Sequence, residues 1–236
     1  MAESIVGALG LSEAPIAVYY ADEKPEGAFE WDGRSHFCLI GRLAEARKGT
    51  PLAVNGENTG CGGSANFLGW DDSFRPGFEY FLSHDEEGKG ERFKKTPELA
   101  RAMIRDRVFV PASGRYCMFQ RLADLPEDVQ PEVVVMFADP DEVSGLVVLA
   151  NYGRAGSNEV IAPMTSGCGS IVNEPRVQAK NPQPKAVLGM FDAAARPKME
   201  KQFLTFSVPY AVSTEIVGNI RGSFLEIEPW TGMRDR

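Results

Sequence analysis

The sequence predicts an α/β (or α+β) protein in which two related halves of strand–helix–strand type pack into one compact unit. Three observations predict it. Short apolar runs that suit strands alternate with amphipathic stretches that suit helices. The run Val133-Val134-Val135-Met136-Phe137-Ala138-Asp139-Pro140 resembles Ile16-Ala17-Val18-Tyr19-Tyr20-Ala21-Asp22-Glu23. Beyond a predicted helix and a second strand, each run leads to one cysteine set between glycines: Gly60-Cys61-Gly62-Gly63 and Gly167-Cys168-Gly169. Such a repeat marks an internal duplication, with a first half at 12–70 and a second at 130–175 inside one domain spanning 1–236. A chain of 236 residues has ample length to bury a core.

The elements follow in order. Ile5, Val6, Leu9 and Leu11 suit a short N-terminal helix closed near Gly10. Pro15 to Tyr20 reads as a buried strand, with proline tolerated at its first position. Ser35 to Lys48 reads as a helix capped by Ser35, with Phe37, Ile40 and Ala44 inward and Cys38 on its first turn. A strand at Pro51 to Val54 leads into the Cys61 turn. Asp85 to Lys95 is a charge run interrupted by glycine and reads as an exposed loop. Thr96-Pro97-Glu98 opens a helix to about Asp106. Tyr116 to Leu122 is a strand carrying Cys117. In the second half, Val133 to Ala138 is a strand, Glu142 to Tyr152 a helix and Val160 to Met164 a strand. Asn173 to Lys185, with three prolines, reads as a long connection or flap. Phe203 to Val208 is a strand, and Ser213 to Ile220 a helix capped by Ser213 or Thr214. Phe224 to Ile227 extends that segment or forms a last strand.

The bulk composition narrows the function. A net charge of −8 with no basic stripe argues against a nucleic-acid surface or an anionic membrane as partner. Apolar runs such as Val133 to Ala138 are far short of the roughly 20 residues of a membrane span. The start, Met-Ala-Glu-Ser-Ile, lacks the basic residues and apolar core of a signal peptide, so a cytoplasmic location is expected. Four cysteines, Cys38, Cys61, Cys117 and Cys168, are too few and too scattered for a disulfide scaffold. None forms a C-x-x-C pair, so no zinc ribbon or thioredoxin motif is present.

The glycine–cysteine turns are the candidate site. Glycine permits positive φ and close backbone approach, so Gly60, Gly62, Gly63, Gly167 and Gly169 could expose N–H groups beside a thiolate. Cys38, Cys61 and Cys168, with Cys117 as a further candidate, could ligate an iron–sulfur cluster, which requires thiolates and gains from backbone N–H groups near its sulfides. Three protein thiolates would leave one iron open to substrate, water or a partner; four would favour electron transfer. The expected role is redox or cofactor handling, with a small molecule or a redox partner protein as partner. Two metal-free readings stand beside it. One is a small-molecule or anion-binding module built on the Gly-Cys-Gly turns. The other is a thiol enzyme with Cys61 as nucleophile, for which His36 and His84 are the only histidines to serve as base. Asp139, Asp141 and Glu142 read as a surface turn rather than a magnesium site. Nothing decides whether the chain is an enzyme. The Cys61 turn is neither a dinucleotide fingerprint nor a P-loop.

The order of these features resembles the domain-of-unknown-function family 169, over most of the chain. The resemblance is carried by Ile16–Tyr20, Phe37-Cys38-Leu39, Cys61-Gly62-Gly63-Ser64-Ala65, Val133–Phe137 with Ala138-Asp139-Pro140, and Gly167-Cys168-Gly169. This sequence has Gly62 where many relatives have proline, and Cys117 falls where the family pattern has an apolar strand residue. The resemblance implies a shared fold, a shared cysteine set and a cytoplasmic bacterial or archaeal protein; it implies no activity.

Overall fold

A single twisted sheet carries the chain, and its strand order exposes a relation between its two ends. The structure, a computed structural model, describes residues 1–30, 38–84 and 90–234. In chain order the first half holds α1 (Ala2–Leu9), β1 (Ile16–Ala21) and β2 (Phe29–Glu30). A 3-10 turn at Leu39–Arg42 then runs into α2 (Leu43–Arg47), followed by β3 (Leu52–Asn55), α3 (Gly62–Phe67), α4 (Phe78–Ser83), α5 (Pro97–Asp106) and β4 (Tyr116–Arg121). The second half holds β5 (Val133–Ala138), α6 (Pro140–Tyr152) and β6 (Val160–Ile161). A π-helical turn at Gly169–Asn173 leads to α7 (Glu174–Gln178), then β7 (Ala186–Gly189), β8 (Leu204–Pro209), α8 (Tyr210–Gly218) and α9 (Glu228–Arg234).

Among the described residues the strands lie in the order β2-β3-β4-β1-β5-β8-β7-β6. At the centre β1 and β5 are antiparallel, with Ile16 opposite Val135 and Val18 opposite Val133. Outward from that pair, each half repeats the same sequence of directions: an antiparallel neighbour (β4 or β8), an antiparallel third strand (β3 or β7), and a short parallel edge (β2 or β6). A two-fold axis perpendicular to the sheet between β1 and β5 therefore exchanges β1 with β5, β2 with β6, β3 with β7 and β4 with β8. The related units reach through β4 and β8, beyond the expected boundaries at 70 and 175.

Period-two alternation divides the central strands between two cores. Val133, Val135 and Phe137 join Ile16, Val18, Leu52 and Phe119 on one face, beneath Leu39, Ile40 and Leu43 of the first half and Ile171 and Val172 of the second. Val134, Met136 and Ala138 face the other way, beneath α1, α6, α8 and α9, which bring Leu9, Leu146, Ile216 and Trp230. With both faces covered, β5 is buried along its whole length, as a continuous apolar run requires.

Several expectations change. Ser35, His36 and Phe37 lie outside the described residues, as do 85–89 of the charge run. Cys38 is not on a first helical turn but extended (φ −81°, ψ 124°) at the N-cap of the 3-10 turn, and the α-helix starts only at Leu43, past Gly41, a poor helix former. The stretch 173–185 is helical over Glu174–Gln178, which continues the π-helical turn Gly169–Asn173 without a break. α8 begins at Tyr210 rather than at Ser213, whose hydroxyl donates back to the Tyr210 carbonyl at 2.7 Å. Phe224–Glu226 is a 3-10 turn rather than a strand. The acidic group after β5 builds the start of α6. The Glu142 N–H donates to Asp139 Oδ1 at 2.9 Å, and the Asp139 N–H donates to Glu142 Oε2 at 2.8 Å.

Candidate functional site

The two glycine–cysteine turns are not symmetry mates. Cys61 follows β3, whereas Cys168 follows β6, which exchanges with β2. The cysteine in the position equivalent to Cys168 is Cys38; Cys38 is extended before a 3-10 turn, whereas Cys168 is already helical before a π-helical turn. Since the axis preserves the sheet's faces, both turns pack on the same core. Cys61 joins them there as the cap of α3.

The Cys61 turn is built locally. Gly60 has φ 74°, a left-handed conformation that glycine adopts without a Cβ penalty. Cys61 is extended, and its Sγ accepts the Ser64 N–H at 3.3 Å, the place usually taken by a cap oxygen. The Ser64 hydroxyl lies 3.2 Å from Cys61 Sγ and 3.7 Å from Cys168 Sγ, tying the two sulfurs into one hydrogen-bonded group. Ser64 is fully buried, Cys168 is buried, Cys38 is half-buried and Cys61 is exposed, so the group opens to solvent on the Cys61 side. A Cβ on Gly62 would meet nothing within 4 Å, and one on Gly63 would meet only Cys61 Sγ at 3.8 Å. The backbone beside the sulfur is open to a guest.

The Cys168 turn is clamped from below. A Cβ on Gly167 would sit 2.8 Å from Ile40 and 3.0 Å from Ala195, and one on Gly169 would collide with Thr165 and Phe67. Both glycines therefore serve close approach. The Gly167 N–H donates to Asp192 Oδ2 at 2.9 Å, and the Ser170 hydroxyl donates to the Gly167 carbonyl at 2.9 Å. Asp192 is 6% exposed.

Electrostatics at the site has one sign. Burial, then the neighbouring Cys61 and Cys38 sulfurs and Asp192, push the Cys168 thiol well above its ordinary value, with only the Ser64 hydrogen bond pulling it down. The Cys38 thiol is raised by burial first, then by Cys61 and Asp192, against the backbone N–H groups of Ile40 and Gly41. Burial and the Asp192 charge raise the half-buried Glu91 carboxyl to about 7. No Lys, Arg or His figures among the groups that shift these three.

Cys117 stands elsewhere. It is fully buried on β4 beside Tyr20, Arg176 and Glu132, and burial pushes its thiol up to about 12. Arg176, 5% exposed, clamps that region through Glu132, the Tyr20 hydroxyl and the carbonyls of Val110 and Pro111. His84 is exposed and bonds to Ser83, and His36 lies outside the described residues. Among those residues no three His, Cys, Asp or Glu side chains gather tightly enough to hold a single metal ion.

The structure thus unites Cys38, Cys61 and Cys168 with all five glycines and leaves Cys117 apart. Sequence reasoning missed Ser64, Glu91 and Asp192. Asp192 had a local signal, since a short acidic side chain after an apolar run can cap the N–H groups two and three residues on. Ser64 and Glu91 had none.

No helix among the described residues is long and apolar enough to cross a membrane. No curated protein and no solved structure matches the chain. A family model, DUF169, described as "Uncharacterised ArCR", matches residues 4–219, and the chain belongs to that family.

Proposed function

We propose that this DUF169 protein holds an iron–sulfur cluster on Cys38, Cys61 and Cys168, in a redox or cofactor-handling role. One observation carries the reading: among the described residues, Cys61 and Cys168 flank the Ser64 hydroxyl, Cys38 lies close enough to feel Cys61, and the buried Asp192 carboxylate bonds the Cys168 turn. Gathering such groups is costly unless a positively charged guest compensates them, and thiolates are the ligands an iron–sulfur core requires. The openness beside Gly62 and Gly63 suits a guest larger than an ion. A single tetrahedral ion with bonds of about 2.3 Å would need sulfurs roughly 3.8 Å apart. A four-iron cluster takes them farther apart, which fits Cys61 and Cys168 lying on either side of the Ser64 hydroxyl. When bound, the cluster would supply electron transfer or an open iron for a small molecule. The chain's residues hold the thiolates, cover their inner side with Phe67 and Ile40, and leave the Cys61 side to solvent or to a redox partner.

The metal-free readings draw less support. An anion would enter beside the buried Asp192 carboxylate, and among the described residues no histidine hydrogen-bonds the Cys61 thiol to serve as its base. The test is anaerobic isolation with iron and acid-labile sulfide analysis. Stoichiometric iron and sulfide, a visible absorbance bleached by reduction, and loss of both in Cys61→Ser support the reading. A colourless protein that takes up neither iron nor sulfide under reducing reconstitution removes it.

A further inference from the structure

The two sulfurs at the Ser64 hydroxyl are alike in chemistry and opposite in access. Cys61 is exposed, whereas Cys168 is 7% exposed, and neither is in a disulfide. Both lie against the same side-chain oxygen, Cys61 at 3.2 Å and Cys168 at 3.7 Å. An oxidant arriving from solvent therefore meets Cys61, and the thiol behind it is Cys168. Among the described residues Cys38 hydrogen-bonds neither of these sulfurs nor Ser64.

The backbone lets one of the two move. A disulfide needs sulfurs about 2.05 Å apart, so one must leave its place beside Ser64. Cys168 is fixed, because Gly167 fits closely against Ile40 and Ala195, Gly169 fits against Thr165 and Phe67, and the Gly167 N–H is bound to Asp192. Cys61 is not. It stands extended outside α3 (φ −153°, ψ 155°), after Gly60 in the left-handed region, and the space beside Gly62 is empty to 4 Å. Its sulfur is held by Ser64 alone, through the N–H at 3.3 Å and the hydroxyl at 3.2 Å.

We propose that Cys61 and Cys168 are a peroxide-oxidisable thiol pair, in which Cys61 meets the oxidant and Cys168 closes a disulfide on it. In the first step the Cys61 sulfur takes one oxygen from a hydroperoxide. The O–O bond breaks, and the other oxygen leaves with the thiol proton as water or an alcohol, so Cys61 becomes a sulfenic acid. In the second step the Cys168 sulfur attacks the Cys61 sulfur. The S–O bond breaks, and the Cys168 proton leaves with the hydroxyl as water. Two thiols are oxidised to a disulfide, and the peroxide is reduced by the same two electrons. Closing the disulfide also withdraws the sulfur that accepts the Ser64 N–H, so α3, which starts on two glycines, loses its N-cap. The pair forms in the metal-free chain and needs no cluster.

The test uses the full chain, reduced and freed of metal with a chelator, then treated with one equivalent of hydrogen peroxide. Mass spectrometry of the intact protein and of its unreduced peptides follows. The expected result is the loss of two hydrogens, a linked Cys61–Cys168 peptide pair, and lost protection against amide exchange in the first turn of α3, all reversed by dithiothreitol. Cys168→Ser is expected to stop at the first step, with a Cys61 sulfenic acid that dimedone captures. Should that variant fail to fold by circular dichroism, the wild-type peptide map decides alone. If peroxide carries Cys61 on to the sulfinic acid while Cys168 stays a free thiol, or if the link joins Cys61 to Cys38 or to a second chain, the proposal is wrong. A chain that forms the disulfide but takes up no iron and sulfide overturns the iron–sulfur reading alone; one that takes up both and forms no disulfide overturns the thiol pair alone.

Discussion

Ser64 and Cys168, 104 positions apart in the chain, meet with Oγ 3.7 Å from Sγ. The same hydroxyl lies against Cys61, so this buried serine is the joint between the two glycine–cysteine turns. Replacing it with alanine removes the one contact that lowers the Cys168 thiol. Ser64→Ala is expected to slow Cys168 alkylation further in the metal-free protein and to cost about 1 kcal/mol of stability. Mass-resolved alkylation at fixed pH, read against a urea midpoint, checks both; unchanged Cys168 reactivity would break the joint.

Two glycines separate packing from access. Gly167→Ala forces a methyl against Ile40 and Ala195 and is expected to destabilise by about 1–3 kcal/mol. Gly62→Ala meets nothing within 4 Å and is expected to leave stability within about 0.5 kcal/mol. On the cluster reading, the Gly62 methyl enters the guest's space and lowers iron uptake although the fold is intact. Thermal melts paired with iron content separate the two effects; full iron loading in Gly62→Ala means the guest lies elsewhere.

Cys117 links stability to alkaline pH. Its folded value of about 12 lies above the ordinary thiol value of 9.0, so the unfolded chain ionises first. Its contribution to stability is whole below pH 9.0 and lost as the pH rises toward about 12. Cys117→Ala lowers stability at neutral pH through a small cavity, but it is expected to lose less between pH 9 and 11 than wild type does. Urea midpoints across that range check the difference in slope, and parallel curves would contradict it.

Arg176 holds the 108–111 segment against the sheet. Its Nε donates to Glu132 Oε2 at 2.6 Å, its Nη1 to the Val110 carbonyl at 3.1 Å and its Nη2 to the Pro111 carbonyl at 2.7 Å. Arg176→Met leaves the buried Val110 carbonyl without that donor and gives up a partly exposed ion pair with Glu132, and is expected to cost about 1–3 kcal/mol. Denaturant unfolding measures it, and a loss below about 1 kcal/mol would show that water replaces the guanidinium.

Glu91 carries the opposite test of pH. Because its folded value of about 7 lies above the ordinary 4.5, its contribution is whole below pH 4.5 and lost as the pH rises through 7. Glu91→Gln is therefore expected to melt higher than wild type at pH 8 and alike at pH 4.5. A melting difference that does not grow with pH overturns the assignment.

Much of the fold was legible because local chemistry agreed with it. Pro97 after Thr96 opened α5 where a cap and a first-turn proline belong, and the Thr96 hydroxyl accepts the Leu99 N–H. The apolar run 133–138 became the central strand. What misled was punctuation: Pro175 read as loop although it lies within a helical run, and β7, four residues long, went unseen because so short a run carries no clear period. The pairing of the Gly-Cys-Gly turns failed for a related reason. Similar text marked both turns, but strand neighbours set which positions correspond, and no local signal names a neighbour.

The sequence by itself determined the mixed α/β class, the family, the approximate places of most strands and helices, and the identity of the thiols at issue. These follow from period, capping and turn chemistry, all of which act over a few residues. Only the tertiary structure decided that Cys61 and Cys168 meet at the Ser64 hydroxyl, that Cys117 lies elsewhere in the core, and that Asp192 bonds the Cys168 turn. Those facts depend on which strands pair across the sheet, and pairing is settled by burial on two faces at once, a condition on the whole chain rather than on any stretch of it.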